Sequence, residues 1–422
     1  MAHINKPAPG ADQYLPLNEP GVGISYSKEA HAANASLPKI FQPLTLRGVT
    51  FHNRVWVAPM CQYSSDNGHA TDWHFVHIGG FATRGLGAIC LEATSVVPEG
   101  RISPEDAGLW TDTQIPPLQR IVKFVHSQQG PKVGVQLSHA GRKASTLAPW
   151  VFSDLAGTWH APRRAALKDD NGWPDEVYGP STIPFAKGYP EPKEMSEEHL
   201  QYVEDSWIKA VERCKTIGFD FIEIHAAHGY LLHEFLSPIS NVRIDKYGGK
   251  SLENRMRFPL RLIKRVRSVW DKPLIVRLSA TDWKEGPEKD ESGGEDGWNS
   301  WGIEQSKIFV ARLHELGVDL ADISTGGNYY AQQFGVTEGY QVPFAADIKK
   351  AVPDIQIGTV GMITDPKLAN GYLEEGKADV VFLARELMRN PNWVYRAALE
   401  LGVAVKPANQ YERGWTEIFD KK

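Results

Sequence analysis

Eight short apolar runs, each followed by a stretch that suits a helix, constrain this chain of 422 residues more than any other feature. The runs cover 55–58, 88–93, 133–137, 219–225, 274–279, 320–324, 355–360 and 379–384. Helices fit between each pair. The clearest are predicted over 72–84, 118–125, 196–217 and 252–270, with another opening at Pro366 and a last one after Pro391. Ser196 is a good N-cap, with Glu197 and Glu198 in the first turn where negative charge is favourable. Thr364-Asp365 caps the helix at Pro366, whose missing N–H costs little there. Eight β/α units in series predict a (β/α)8 TIM barrel. An open doubly wound sheet is the competing arrangement. It lacks its fingerprint, because no Gly-x-Gly-x-x-Gly follows strand one, and Arg84-Gly-Leu-Gly87 suits a helix C-cap.

The first 36 residues are rich in Pro, Gly, Ala and Asn without periodicity, and are expected to form an arm, flexible or draped over the body. The barrel with its C-terminal tail is expected over 37–415. Two connections exceed what a plain barrel needs. One, 144–195, follows strand three and carries Trp150, Trp159 and Trp173; the other, 281–300, follows strand five and is acidic and Gly-rich. Both leave C-terminal strand ends, so both overhang the face where barrel enzymes do their chemistry. The first is either a lid over a substrate or a surface elaboration, and the second suits a solvated loop.

Composition narrows the partners. The net charge is −5 with no basic stripe, which argues against nucleic acid. No apolar run is long enough to span a bilayer, and the start lacks a secretory core, so the cytoplasm is expected. The three cysteines, Cys61, Cys90 and Cys214, make a poor disulfide framework and too few ligands for an ordinary iron–sulfur cluster.

The chemistry gathers at the strand ends. Strand four places Glu223 and His225 on one face and runs on through His228, Gly229 and Tyr230. Gln136 in strand three, Arg277 in strand five and Glu223 point into the barrel and need partners. Arg277 and Glu223 could pair with each other. A planar ligand edge of mixed donors and acceptors, such as a flavin's, would also satisfy Gln136 and Arg277. Gly361 after strand seven and Ala384-Arg385 after strand eight stand where barrels often hold phosphate. His225 and His228 could bond each other, bind a metal with His139, or donate together to one substrate oxygen.

Taken together, the motifs resemble those of the Old Yellow Enzyme family of FMN-dependent ene-reductases, in its thermophilic-like subclass. They are Ala58-Pro-Met-Cys-Gln-Tyr63, His139-Ala-Gly-Arg-Lys143, His225-Ala-Ala-His-Gly-Tyr230, Glu234-Phe-Leu-Ser-Pro238, Tyr247-Gly-Gly249, Glu253-Asn-Arg255, Val360-Gly-Met362, Ala384-Arg385 and Tyr411-Glu-Arg-Gly-Trp415. The resemblance spans about 37–415. It implies bound FMN, contacted by Pro59, Met60, Cys61, Ala93, Gln136, Arg277, Gly361, Ala384 and Arg385. It implies hydride from NADPH, then ping-pong reduction of a small activated alkene, an α,β-unsaturated carbonyl or nitro compound. His225 and His228 would hold the activating oxygen, Tyr230 would protonate the α-carbon, and Tyr63 and Lys143 would line the pocket. Cys61 would tune the flavin, although a small buried thiol can also be simple packing. Arg413 would reach a neighbouring subunit's pocket, so a homo-oligomer is expected. A pathway-specific dehydrogenase or isomerase on the same scaffold and a metal-dependent barrel hydrolase are the alternatives.

Overall fold

The computed structural model describes residues 5–152 and 164–416. Trp159 and residues 1–4 lie outside them. Eight strands close into one barrel: β1 (Val55–Val57), β2 (Ala88–Ser95), β3 (Lys132–Ser138), β4 (Phe221–Ala226), β5 (Leu274–Ser279), β6 (Leu320–Ser324), β7 (Gln356–Val360) and β8 (Val380–Leu383). Every neighbouring pair is parallel and follows chain order, and β8 returns to β1 with Val381 opposite Val55. The open sheet is thereby excluded. One irregularity interrupts the register. Leu91 faces Val135 and Ala93 faces Gln136, so Glu92 is the extra residue of a bulge in β2.

The outer helices are α1 (Asp72–Ala82), α2 (Ile115–Ser127), α3 (Glu197–Ile217), α4 (Leu252–Val269), α5 (Ile303–Glu315), α6 (Val342–Ala351), α7 (Pro366–Glu374) and α8 (Trp393–Leu401). Their ends obey local chemistry. Ser196 accepts the His199 amide at the start of α3, and Gly218 ends it at φ +94°. Asp365 accepts the Leu368 amide at 2.9 Å, with Pro366 in the first turn of α7. α2 begins three residues before its expected start, because Pro116 and Pro117 fall in a first turn that has no N–H to lose.

The barrel floor is apolar. A hairpin not foreseen from the sequence, Leu44–Leu46 with Val49–Phe51, brings Phe51 against Trp56 at 4.3 Å between ring centres. Phe221 and Phe382 complete the plug, 5.9 Å and 5.5 Å from Trp56. The arm, so far as it is described, runs along the body beside the C-terminal segment. The Gly23 amide donates to the Lys406 carbonyl at 2.7 Å, and the Asn34 side chain bonds both the amide and carbonyl of Ala404.

Candidate active site

At the C-terminal end of β4 the chain turns sharply through two left-handed residues, His228 (φ +59°) and Gly229 (φ +70°). Glycine is required at the second. A Cβ there would lie 2.2 Å from the Gly327 carbonyl oxygen, on the connection after β6. The turn puts three rings together. His225 stands 5.2 Å from His228 and 4.9 Å from Tyr230, each pair nearly perpendicular.

The two imidazoles are not equivalent. The Ala227 amide donates to His225 Nδ1 at 3.2 Å, so the proton of the neutral ring sits on Nε2, which is left as a donor. Burial, and then the positive Arg277 on the adjoining strand, hold His225 well below the ordinary histidine range. The same causes keep His228 neutral, but its Nε2 is already 2.7 Å from Ser324 Oγ. Burial also pushes the Tyr230 phenol well up, so it carries its proton. Lys143 does not extend freely into the mouth. Its ammonium donates to the carbonyls of His228 and Gly327, and burial, then Arg142, pushes it down to about 7.

Below these rings lies a layer of buried polar side chains. Gln136 Nε2 donates to Glu223 Oε1 at 2.6 Å. Arg277 pairs with Asp322 at 3.1 Å across β5 and β6, rather than with Glu223 as the sequence left open. Register decides this, since Asp322 is the direct lateral neighbour of Arg277 and Glu223 is that of Ile275. The Arg277 Nε–H is not aligned for a hydrogen bond with that carboxylate, and Glu223 Oε2 and both Asp322 oxygens also lack hydrogen-bond partners. Burial, and then Asp322, raise Glu223. Unsatisfied buried polar atoms clustered in this way call for a ligand that completes them.

From Arg277 a cavity of about 160 Å³ runs to Gly361, Met362, Ala384 and Arg385, so the proposed anion-binding end and the guanidinium share one space. Gly361 has φ +118°, and a Cβ on it would lie 2.6 Å from Gln341 Nε2. The donor set suits FMN: a cation and backbone turns at one end, amide and guanidinium donors along the other.

Pro59, Met60 and Cys61 leave β1 toward the same face, and Ala93 follows the bulge in β2. Tyr63, at φ +49°, meets the edge of Trp150 at 5.5 Å. Phe185 lies under the Lys143 ammonium at 4.0 Å and 6.1 Å from Tyr330. Described parts of the 144–195 connection therefore border the mouth. The acidic connection is tied down at its base, where Asp282 accepts from Ser237 at 2.6 Å and Glu288 accepts from Gln305. Arg413 is exposed on the turn Asn409–Gly414 and makes no hydrogen bond or ion pair among the described residues. His139 accepts the Gly141 amide at 3.0 Å. Among the described residues no three His, Cys, Asp or Glu side chains are grouped to hold a metal.

Sequence reasoning missed Ser324, Gln341, Asp322 and the connection 325–341 that carries Tyr330, Phe334 and Tyr340. Asp322 was visible as a charge within an apolar strand. The connection had a signal in Gly326-Gly327-Asn328. Ser324 and Gln341 had none.

Comparison with known proteins agrees with this geometry. The family described as NADH:flavin oxidoreductase / NADH oxidase, an FMN oxidoreductase family, matches residues 39–402. An NADH:flavin oxidoreductase of Gibberella zeae is 44% identical over 414 residues, 97% of this chain and 95% of the relative. NADPH dehydrogenase of Bacillus subtilis is 40% identical, over 89% of this chain and 99% of its own. Morphinone reductase, at 23% identity, shares the fold with a TM-score of 0.67, covering 88% of this chain and 91% of that one. Among the described residues no helix is long and apolar enough to cross a membrane. The chain belongs to the NADH:flavin oxidoreductase / NADH oxidase family and is an FMN-dependent oxidoreductase of the Old Yellow Enzyme type.

Proposed function

We propose that this protein reduces the activated C=C bond of α,β-unsaturated carbonyl or nitro compounds at the expense of NADPH. The observation that carries the proposal is His225. Its tautomer is fixed by a backbone amide, it is neutral, and its free Nε2–H stands beside a protonated phenol. FMN, when bound, would supply the two-electron hydride chemistry between NADPH and the alkene.

The protein's own residues do the rest. Gln136 and Arg277 would hold the flavin edge, Arg277 with positive charge that would favour the reduced, anionic flavin. Gly361 and the Ala384-Arg385 turn would receive the phosphate. Pro59, Met60, Cys61 and Ala93 would form one wall of the flavin site. His225 Nε2–H donates to the acceptor's carbonyl or nitro oxygen and draws electron density off the β-carbon. His228 assists from the second side; to use Nε2 it must give up Ser324. Tyr230 delivers its phenolic proton to the α-carbon and is reprotonated from solvent. Tyr63 flanks the acceptor, and Lys143 serves by fixing the turn at His228. Arg413 completes the pocket of a neighbouring copy in a homo-oligomer, and the enzyme works in the cytoplasm.

The test is an absorbance scan of the purified protein, followed by anaerobic NADPH and 2-cyclohexen-1-one. A yellow protein that bleaches with NADPH, recolours with the enone and yields cyclohexanone fits the proposal. A flavin that bleaches but ignores every enone and nitroalkene refutes the substrate assignment.

A further inference from the structure

The bulge in β2 has a chemical result. Seven of the eight β2 residues are apolar or small and polar, and the one extra residue in the ladder is Glu92. A bulge re-aims the side chain it carries. Here the buried Glu92 carboxylate meets α1 and the segment after β1, and both of its oxygens are engaged. Oε2 accepts the Gln62 amide at 2.8 Å, and Oε1 lies 3.0 Å from His74 Nε2. The Thr71 amide donates to His74 Nδ1 at 3.0 Å, so Nε2 bears the ring proton and donates to Glu92. Gln62 is held on three sides. Its side-chain amide bonds the Met60 carbonyl at 2.8 Å and accepts from Trp73 Nε1 at 3.0 Å. On either side of it stand Cys61 and Tyr63, the latter in a left-handed conformation that a tyrosine does not adopt without support.

We propose that Glu92 is a positioning residue: the bulge delivers its carboxylate to the Gln62 amide, and this bond sets the turn that places Cys61 in the flavin wall and Tyr63 beside the acceptor. The proposal rests on the acceptor site described under the proposed function. A carboxylate serves better than a neutral acceptor because a charge-assisted bond to an amide is about twice as strong. It has a second effect on Cys61. Burial, and then the negative charges of Asp106 and Glu92, push the thiol well above its ordinary range. Cys61 therefore meets the site as a thiol, a weak donor, and not as a thiolate.

The test compares FMN-loaded Glu92→Ala and Glu92→Gln with the parent enzyme at one fixed pH. The readouts are alkylation of Cys61 by iodoacetamide, followed by peptide mass, and steady-state constants with 2-cyclohexen-1-one. In Glu92→Ala, Cys61 should alkylate about tenfold faster, since the negative charge that opposes its thiolate is lost. Its KM should rise about tenfold with kcat within about twofold, the mark of lost positioning rather than lost chemistry. Glu92→Gln keeps an oxygen for the Gln62 amide, so KM should recover to within about threefold while alkylation stays fast. A lowered melting temperature with unchanged KM and alkylation in Glu92→Ala would overturn the proposal, as would a Gln variant as impaired in KM as the Ala variant. If Glu92→Ala does not fold, Glu92→Asp, which withdraws the carboxylate by one methylene, must show a raised KM; a parent KM overturns it. If no enone is reduced by the parent, the functional proposal fails, and the role of Glu92 is then read from phenol binding to the FMN-loaded protein: an unchanged Kd in Glu92→Ala overturns it.

Discussion

The two ends of the barrel solve opposite problems with the same strands. At the floor Phe51, Trp56, Phe221 and Phe382 pack ring against ring, all buried, with the Trp56 N–H satisfied by the Asn53 carbonyl. Nothing there asks for another partner. Toward the mouth, Gln136, Glu223, Arg277 and Asp322 are equally buried, yet several of their polar atoms have no partner. Burying such atoms costs about 1–3 kcal/mol each when they stay unmade. Stability is generated at the floor and consumed near the mouth, which is where a cofactor can return it.

That contrast can be broken by experiment. Trp56→Ala should be the most damaging, lowering the unfolding free energy by about 3–5 kcal/mol in urea melts while the folded fraction keeps its flavin spectrum. Loss of flavin without loss of stability would erase the division between the ends. A second test uses pH. Burial pushes Glu234, beside the site, up to about 8 from an ordinary 4.5, with the nearby Arg142 acting in the opposite sense. Its folded-state value is raised, so its favourable contribution is complete below the unfolded value and is lost as pH climbs through the folded one. Stability should fall across the window between those two values, by up to about 1.4 kcal/mol per pH unit for one proton. Glu234→Gln should flatten that decline in chemical melts at several pH values; an unchanged slope would mean the group is not the source.

Arg277→Ala should weaken FMN retention about a hundredfold by equilibrium dialysis, since it removes a cation and leaves Asp322 unpaired. Full flavin loading with an unaltered reduction potential would contradict the placement of Arg277 at the flavin edge. The mildest change is His225→Ala. It should keep FMN but weaken phenol binding by about tenfold, read from the long-wavelength band that phenols induce on flavins. A normal band would remove His225 from the acceptor's oxygen.

Much of this is legible in the amino-acid sequence alone. The eight strands were readable because each is an apolar run between turn signals, and the helix starts because caps are local chemistry. His225, Tyr230 and Arg277 were readable as polar residues at strand ends. Lateral pairing was not. Whether Arg277 takes Glu223 or Asp322 depends on register, and register is a relation between distant segments. The floor hairpin was missed because two three-residue strands carry too short a pattern. Ser324 and Gln341 acquire meaning only when the end of β6 and the connection after it meet the turn after β4 and the end of β7, and the role of Glu92 only when the bulge is seen.

The clasp between the arm and residues 403–409 ties the start of the polypeptide to its finish. Asn34 fastens Ala404 at both backbone atoms, and the Asn18 side chain takes the Asn409 amide at 2.9 Å. The segment that bears Arg413 departs from directly beyond this seam. Trimming the leading residues for convenience of expression would therefore unmoor the trailing end as well, and any subunit-to-subunit reach of that arginine would lose its fixed point of departure.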